Sequence, residues 1–244
     1  MLNKNIFDEI YSQGSWKSGT SLSGPGSEPE NALHYVAFVQ QVIKDYGINR
    51  ILDIGHGDWK MWPTDFFKSK QYIGVDVVTK LNEAISKDYS AENIRFLLLD
   101  AAKDSLPNAD CVLIKDVLMH LSNKEIDEIL KKLKNYSVAI ICTDVIRKLT
   151  IIDILFLLKR FLSLGARVTS LFRGKNPFFK LPRLQNIDIE SGGHRYLNLE
   201  KKPWNLKNYN LKVVETYDFF GLSPKSKQWK CISVKRIYLI KPLK

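Results

Sequence analysis

The sequence predicts an α/β protein: a doubly wound, mostly parallel sheet of seven strands with an antiparallel hairpin at its C-terminal edge. Three observations carry that expectation. Five short apolar runs, at 50–55, 72–77, 94–100, 109–116 and 138–144, alternate with stretches of helical periodicity. Those runs are apolar almost without break, as strands covered on both faces are. The last two β-rich runs, 211–220 and 230–241, leave no room for a helix between them and must pair with each other. All of residues 1–244 read as one domain, with 1–48 an N-terminal helical and Gly/Ser region and 147–200 an insertion.

The first helix is expected over 5–16, with Ile6, Phe7, Ile10 and Tyr11 on one face and a stop near Gly14. Residues 15–27, rich in serine and glycine, have two readings: a flexible leader, or an ordered lid over a polar ligand. In the second, Trp16, Ser23 and Gly26 would face a substrate. A helix then starts at Ser27-Glu28-Pro29-Glu30, with Ser27 as cap and Pro29 in the first turn, and runs to Gly47.

The stretch Arg50–Trp59 is the centre of the chain. A β-prone run ends at Asp53 and breaks into Ile54-Gly55-His56-Gly57-Asp58. Glycines let a ligand approach the main chain. Asp76 ends the next strand, and a carboxylate there accepts hydrogen bonds from ribose hydroxyls in doubly wound sheets. The third glycine of a dinucleotide fingerprint is missing, and Asp58 would repel a pyrophosphate. A phosphate-free nucleoside with a cationic centre, S-adenosylmethionine, fits better. The alternative is an ordinary strand–turn–helix. A helix is expected over 79–88. Another over 122–134 carries Ile126, Ile129, Leu130 and Leu133 on one face, opened by a Ser122/Glu125 capping box.

Composition narrows the classes. Cys111, Cys142 and Cys231 fit neither a zinc pattern nor a disulfide framework, which suits a reducing cytoplasm. No signal peptide and no membrane-spanning run is evident. The net charge of +11 admits nucleic acid, anionic membranes or anionic substrates. No zinc finger, arginine-rich helix or RNA-binding sheet signature accompanies it, so nucleic acid is not the expected partner. Within 147–185, an apolar stretch at 151–162 reads as a buried crossover helix. Residues 166–185 mix cations with aromatics, which suits a basic lid or a peripheral contact with an anionic membrane at the inner membrane face.

Five segments together resemble class I S-adenosylmethionine-dependent methyltransferases, over roughly 50–145 by motif and 205–241 by topology. They resemble more narrowly a bacterial group associated with surface-glycan (capsule or O-antigen) gene clusters. The segments are Ser23-Gly24-Pro25-Gly26-Ser27, Asp53-Ile54-Gly55-His56-Gly57-Asp58-Trp59, Gly74-Val75-Asp76, Asp116-Val117-Leu118-Met119-His120-Leu121, and Asp188–Leu199. His56 departs from the group, which usually has a small residue or cysteine there. The resemblance implies a Rossmann-like seven-stranded sheet with S-adenosyl-L-methionine as cofactor. It places Asp53, Gly55, Gly57 and Asp58 at the methionine end, Asp76 and Val77 at the ribose, and Asp100 and Ala101 at the adenine. Lys115 and Asp116 would face the catalytic crevice.

His120 is the expected general base, because methyl transfer to a hydroxyl needs a proton acceptor that works near neutral pH; packing on the sheet edge is the alternative. Asp116 or His194 is the next candidate. Residues 186–198 have no periodicity and suggest a functional loop, in which His194 and Arg195 would contact the acceptor, Arg195 as an anion clamp. No metal is expected, although Asp188, Glu190 and His194 cluster in sequence. The expected activity is O-methylation of a small or glycan-like acceptor, phosphorylated or not, in surface polysaccharide biosynthesis. A nucleic-acid methyltransferase or binding protein and an NAD-dependent oxidoreductase are the alternatives.

Overall fold

A computed structural model describes residues 2–146, 185–219 and 233–243. Seven strands form one sheet: β1 (Arg50–Ile54), β2 (Gln71–Asp76), β3 (Ile94–Leu98), β4 (Cys111–Lys115), β5 (Val138–Ile146), β6 (Leu211–Phe219) and β7 (Ser233–Pro242). Their order is β3-β2-β1-β4-β5-β7-β6. The first five strands pair in parallel. β7 pairs antiparallel with both β5 and β6, as the hairpin expectation required. The order reverses at β1/β4, and the carboxyl ends of these two strands open a crevice there, the usual ligand position in such sheets.

Four helices are described: α1 (Leu2–Ser12), α2 (Pro29–Asp45), α3 (Thr79–Tyr89) and α4 (Asn123–Leu133). α1 stops before residue 16 because Gly14 turns left-handed and Ser15 N–H closes back on the Ile10 carbonyl. α4 has the expected capping box: Ser122 Oγ accepts from Glu125 N–H, and the Glu125 carboxylate accepts from Ser122 N–H. Its Ile126, Ile129, Leu130 and Leu133 are buried.

The expected cap at Ser27 is wrong. Ser27 ends a short 3-10 turn (Pro25–Ser27), and Glu28 takes the cap position of α2 without a side-chain bond to the helix. Its carboxylate reaches backward instead, to Ser21 N–H at 2.9 Å and Thr20 Oγ1 at 3.0 Å. β3 is two residues shorter than expected, because Asp100 opens a turn in which its carbonyl accepts from Lys103 and Asp104 N–H.

The 15–27 segment is ordered. Ser18 and Ser21 exchange backbone hydrogen bonds, and the strand-like turn lies over the β1 loop as a strap. Residues 186–198 form a closed loop with its ends pinned: Asn186 Oδ1 accepts from Asn198 N–H at 2.7 Å, and its Nδ2 donates to the Asn198 carbonyl at 2.9 Å. Cys111 and Cys142 are buried free thiols in β4 and β5. The stretch at 151–162 expected as a crossover helix, the basic stretch expected over 166–185 (apart from Gln185) and Cys231 lie outside the described residues. Among the described residues no helix is long and apolar enough to cross a membrane.

Candidate active site

A crevice partly open to solvent lies at the carboxyl ends of β1, β2, β3 and β4. Its floor is the β1 loop. Gly55 and Gly57 both have positive φ, and each is crowded from outside. A Cβ on Gly55 would lie 2.3 Å from Val117 Cγ2, and one on Gly57 would lie 2.5 Å from Ser23 Oγ. The glycines therefore let the loop pack against the β4 end on one side and the strap on the other.

Asp76 ends β2 beside this loop. Its Oδ2 accepts from Gly57 N–H at 3.2 Å and its Oδ1 from Val78 N–H at 3.1 Å. Two backbone donors hold the carboxylate in a fixed orientation on the crevice wall. His56, which also lines the crevice, braces the loop. Its Nδ1–H donates to the Gly57 carbonyl at 2.8 Å, leaving Nε2 to accept from Asn82 Nδ2 at 3.3 Å. Gly74 makes the space: a Cβ there would lie 3.0 Å from the His56 ring and 2.8 Å from Phe96.

The strap is tied to the same loop. Ser23 Oγ accepts from Asp58 N–H at 2.8 Å and from Tyr11 OH at 2.9 Å, while Asp58 Oδ2 accepts from Leu22 N–H at 2.7 Å. Asp58 thus holds the strap, although it also lines the crevice. Gly26 does not line it. Its carbonyl accepts from Lys115 Nζ at 2.7 Å, and it lacks a Cβ because one would lie 2.5 Å from Asp116 Oδ2.

At the β4 end Lys115 and Asp116 belong to a partly buried ionic chain. Asp116 sits at φ 57°, a left-handed conformation that costs a non-glycine residue. Its oxygens each take one ammonium, Lys115 Nζ and Lys235 Nζ, both at 2.7 Å. Lys235 also meets Asp144 at 2.9 Å, and Asp144 meets His194 Nε2 at 3.5 Å. Burial would raise the Asp116 pKa, but the two lysines outweigh it and hold the carboxyl below the usual carboxylate range. That makes Asp116 a poor proton acceptor, contrary to its place as the next candidate base.

His120 lies in a short 3-10 turn (Leu118–His120) on the crevice wall. Nδ1 faces the Gly193 carbonyl at 2.6 Å and so carries the proton, which leaves Nε2 with the lone pair. Trp16 of the strap packs on the ring, with centroids 4.7 Å apart. Burial pushes the His120 pKa down to about 4.

Of the residues singled out from sequence, the crevice brings together Trp16, Ser23, Gly55, Gly57, Asp58, Asp76, Val77, Asp100, Ala101, Lys115, Asp116 and His120. Asp100 also caps its own turn, accepting from Ala102 N–H at 3.0 Å and pairing with Lys103. Four others are placed elsewhere, Gly26 against Lys115 among them. Asp53 is buried beneath the loop, where Tyr72 OH donates to it at 2.7 Å. His194 pairs with Asp144. Arg195 is fully buried and donates to protein oxygens only, which rules out the anion clamp. Asp188 accepts from Asn123 N–H at the start of α4, and among the described residues no cluster could hold a metal ion.

Sequence reading missed Tyr11, Gly193 and Lys235. Lys235 had a faint signal, as a lysine in the alternating start of an otherwise apolar strand. The Gly193 carbonyl had none.

No protein-family model and no curated protein sequence matches the chain. Solved structures share its fold. Magnesium protoporphyrin IX methyltransferase from Synechocystis PCC 6803, with bound S-adenosylhomocysteine, superposes with TM-score 0.54 at 13% identity, covering 98% of this chain and 93% of its own. The 1,6-didemethyltoxoflavin-N1-methyltransferase of Burkholderia thailandensis gives 0.56 at 12% identity, covering 99% and 87%. The 4+2 cyclase SpnF gives 0.55 at 11% identity, covering 98% and 94%. The fold is thus the Rossmann-like seven-stranded sheet of S-adenosylmethionine-dependent methyltransferases of known structure, a fold that also carries a cyclase.

Proposed function

We propose that this chain is an S-adenosylmethionine-dependent methyltransferase that methylates a hydroxyl of a small or glycan-like acceptor. The observation that carries this reading is the charge of the crevice. Asp58, Asp76, Asp100 and Asp116 line it against Lys115 alone, and Lys115 is already paired. Asp100 and Asp116 are paired with lysines, but Asp58 and Asp76 are held by backbone N–H groups and keep their charge, so a pyrophosphate is repelled there and a sulfonium cation attracted. The Asp76 carboxylate, fixed by two N–H groups, suits a ribose diol, and the Asp100–Ala101 end of the crevice suits the adenine. The fold relatives with S-adenosylhomocysteine bound support the same cofactor.

The cofactor, when bound, supplies an electrophilic methyl group. The chain's own contribution is placement and proton removal. Trp16, Tyr11 and Phe7 close one side of the crevice and exclude water beside His120. His120 presents an unprotonated Nε2 at every pH above about 4, so the acceptor's proton has a fixed destination. A histidine of such low basicity gives modest driving force, and most of the rate must come from aligning acceptor and methyl. Among the described residues no unpaired cation lies at this end of the crevice, which favours an uncharged hydroxyl region over a phosphate there. The role in surface polysaccharide biosynthesis rests on the sequence resemblance alone.

Isothermal calorimetry tests the reading. S-adenosylhomocysteine should bind in the micromolar range, about −8 kcal/mol, and NAD should not. The reverse preference would give the site to an oxidoreductase. Binding of S-adenosylhomocysteine with no methylation of any hydroxyl acceptor would bring forward non-methylating chemistry of the SpnF kind.

A further inference from the structure

The buried guanidinium of Arg195 is the least expected group in the chain. It is fully buried and reaches only protein atoms. Nη1 donates to Asn123 Oδ1 at 2.5 Å and to the Ile187 carbonyl at 2.6 Å; Nη2 donates to the Leu121 carbonyl at 2.7 Å. Its face lies over the Trp204 ring, 5.4 Å from the centroid. Its nearest carboxylate, Asp188, is 3.8 Å away and mostly exposed. Burying a guanidinium with so weak a counter-charge is costly, and an apolar side chain could fill the same space. What an apolar side chain could not do is bond to two segments at once. The planar fork does that, joining the start of the 186–198 loop at Ile187 to the turn that follows His120.

The loop and the turn also meet through the backbone. Gly192 N–H donates to the His120 carbonyl at 2.8 Å and Arg195 N–H to the Met119 carbonyl at 3.2 Å. Between those two contacts sits Gly193, whose carbonyl meets His120 Nδ1 at 2.6 Å. Gly192, at φ 86°, makes the turn, and a Cβ there would lie 2.6 Å from Ile6 of α1.

We infer that Arg195 is a positioning residue for His120. By stitching the loop to the 118–123 turn it holds the Gly193 carbonyl on Nδ1, and so determines that Nε2 is the bare nitrogen of a ring that lines the crevice. The hydrogen bond made by one ring nitrogen sets the proton on the other. The catalytic meaning of this geometry rests on the proposed methyl transfer, but the tautomer itself does not.

The test is therefore read on the ring. The chain has four histidines, few enough for long-range 1H–15N correlation spectra of histidine-labelled protein, with His120 assigned by its loss in His120→Gln. In the wild type, Nδ1 should be protonated and Nε2 bare, with titration only near pH 4. The charged and titratable neighbours facing the ring are His194, Asp116 and Lys235. In Arg195→Met those neighbours stay, but the Gly193 carbonyl is freed. The His120 shifts should then average between the two tautomers, and titration should move no higher, because the Gly193 hydrogen bond is what holds the ring's pKa up against burial. Arg195→Lys, which cannot reach all three acceptors, should show the same change in smaller degree, and it carries the test if the methionine variant does not fold. An unchanged tautomer in whichever variant folds, as judged by circular dichroism, would overturn the inference. Calorimetry with S-adenosylhomocysteine runs beside it. If the wild type fails to bind, the cofactor reading falls while the spectra still decide the role of Arg195.

Discussion

Asp76 and Asp53 are carboxylates at adjacent strand ends, and their surroundings give them opposite properties. Asp76 takes two backbone N–H groups and faces the crevice. Asp76→Ala should lower affinity for S-adenosylhomocysteine at least tenfold, as the loss of a charged hydrogen-bond partner costs on the order of 1.5–3 kcal/mol. Calorimetry checks this, with circular dichroism unchanged; an undiminished affinity would mean that the ribose lies elsewhere. Asp53 lies within β1 and is buried against Tyr72. Burial pushes its pKa up to about 6, against the Tyr72 hydrogen bond that lowers it. A carboxyl whose folded pKa exceeds its unfolded one destabilises the protein above the folded value, and the penalty is relieved as pH falls from about 6 toward 4. Asp53→Asn should therefore be more stable than the wild type at pH 8, by on the order of 3 kcal/mol for a shift of about 2 units, and no more stable near pH 4. Urea unfolding at the two pH values checks the sign. Affinity for S-adenosylhomocysteine should stay within threefold, and a tenfold loss would restore Asp53 to the ligand. Nothing in the sequence separated these two acids, because both end apolar strands before a glycine-bearing or turn segment, and only the direction of the side chain distinguishes them.

The strap shows which local features are legible in a sequence and which are not. The α4 capping box was legible because both its partners lie within four residues, and it formed as read. Ser27 had the same local credentials and failed, since Glu28 is drawn back to Ser21 and Thr20 and the chain enters α2 one residue later. The order of 15–27 itself comes from contacts 35 and 36 residues away, Asp58 N–H on Ser23 Oγ and Leu22 N–H on Asp58, which composition cannot reveal. Ser23 is the junction of these contacts. Ser23→Ala removes the acceptor for both Asp58 N–H and Tyr11 OH, and an unsatisfied buried donor costs about 1–3 kcal/mol. The strap should then open more often. Limited trypsinolysis after the exposed Lys17 should speed up severalfold, and S-adenosylhomocysteine should slow it again if the strap closes over the bound cofactor. Equal cleavage rates in the wild type and the variant would show that Ser23 does not hold the strap.

The sheet was legible in outline because its evidence is repeated. Five buried apolar runs and one inescapable hairpin admit few topologies, and the observed order follows. What the pattern could not show is how β7 is fastened to the parallel strands at the crevice end. The backbone ladder from β5 to β7 runs from Ala139↔Ile240 to Ile146↔Ser233, and at its crevice end Lys235 of β7 reaches across to Asp116, just past β4, and to Asp144 of β5. Burial lowers the Lys235 pKa, but the two carboxylates outweigh it and hold the ammonium charged. Asp144, like Asp116, is held below the usual carboxylate range, because Lys235 outweighs the burial that would raise it. Lys235→Met should fit the space while leaving both carboxylates to Lys115 and His194. Removing one partner from a buried ionic group costs about 3–5 kcal/mol, and a loss of that size is expected at pH 7. The sign of its pH dependence follows from the depressed carboxyls. Their contribution is present above the unfolded carboxylate pKa of about 3.9 and is lost as pH falls below it. The gap between wild type and variant should therefore narrow between pH 5 and pH 3, with the wild type losing more stability over that range. Urea unfolding across the range measures it. A variant as stable as the wild type at pH 7 would mean that the hairpin is held by its ladder alone, and that the ionic chain serves the crevice rather than the sheet.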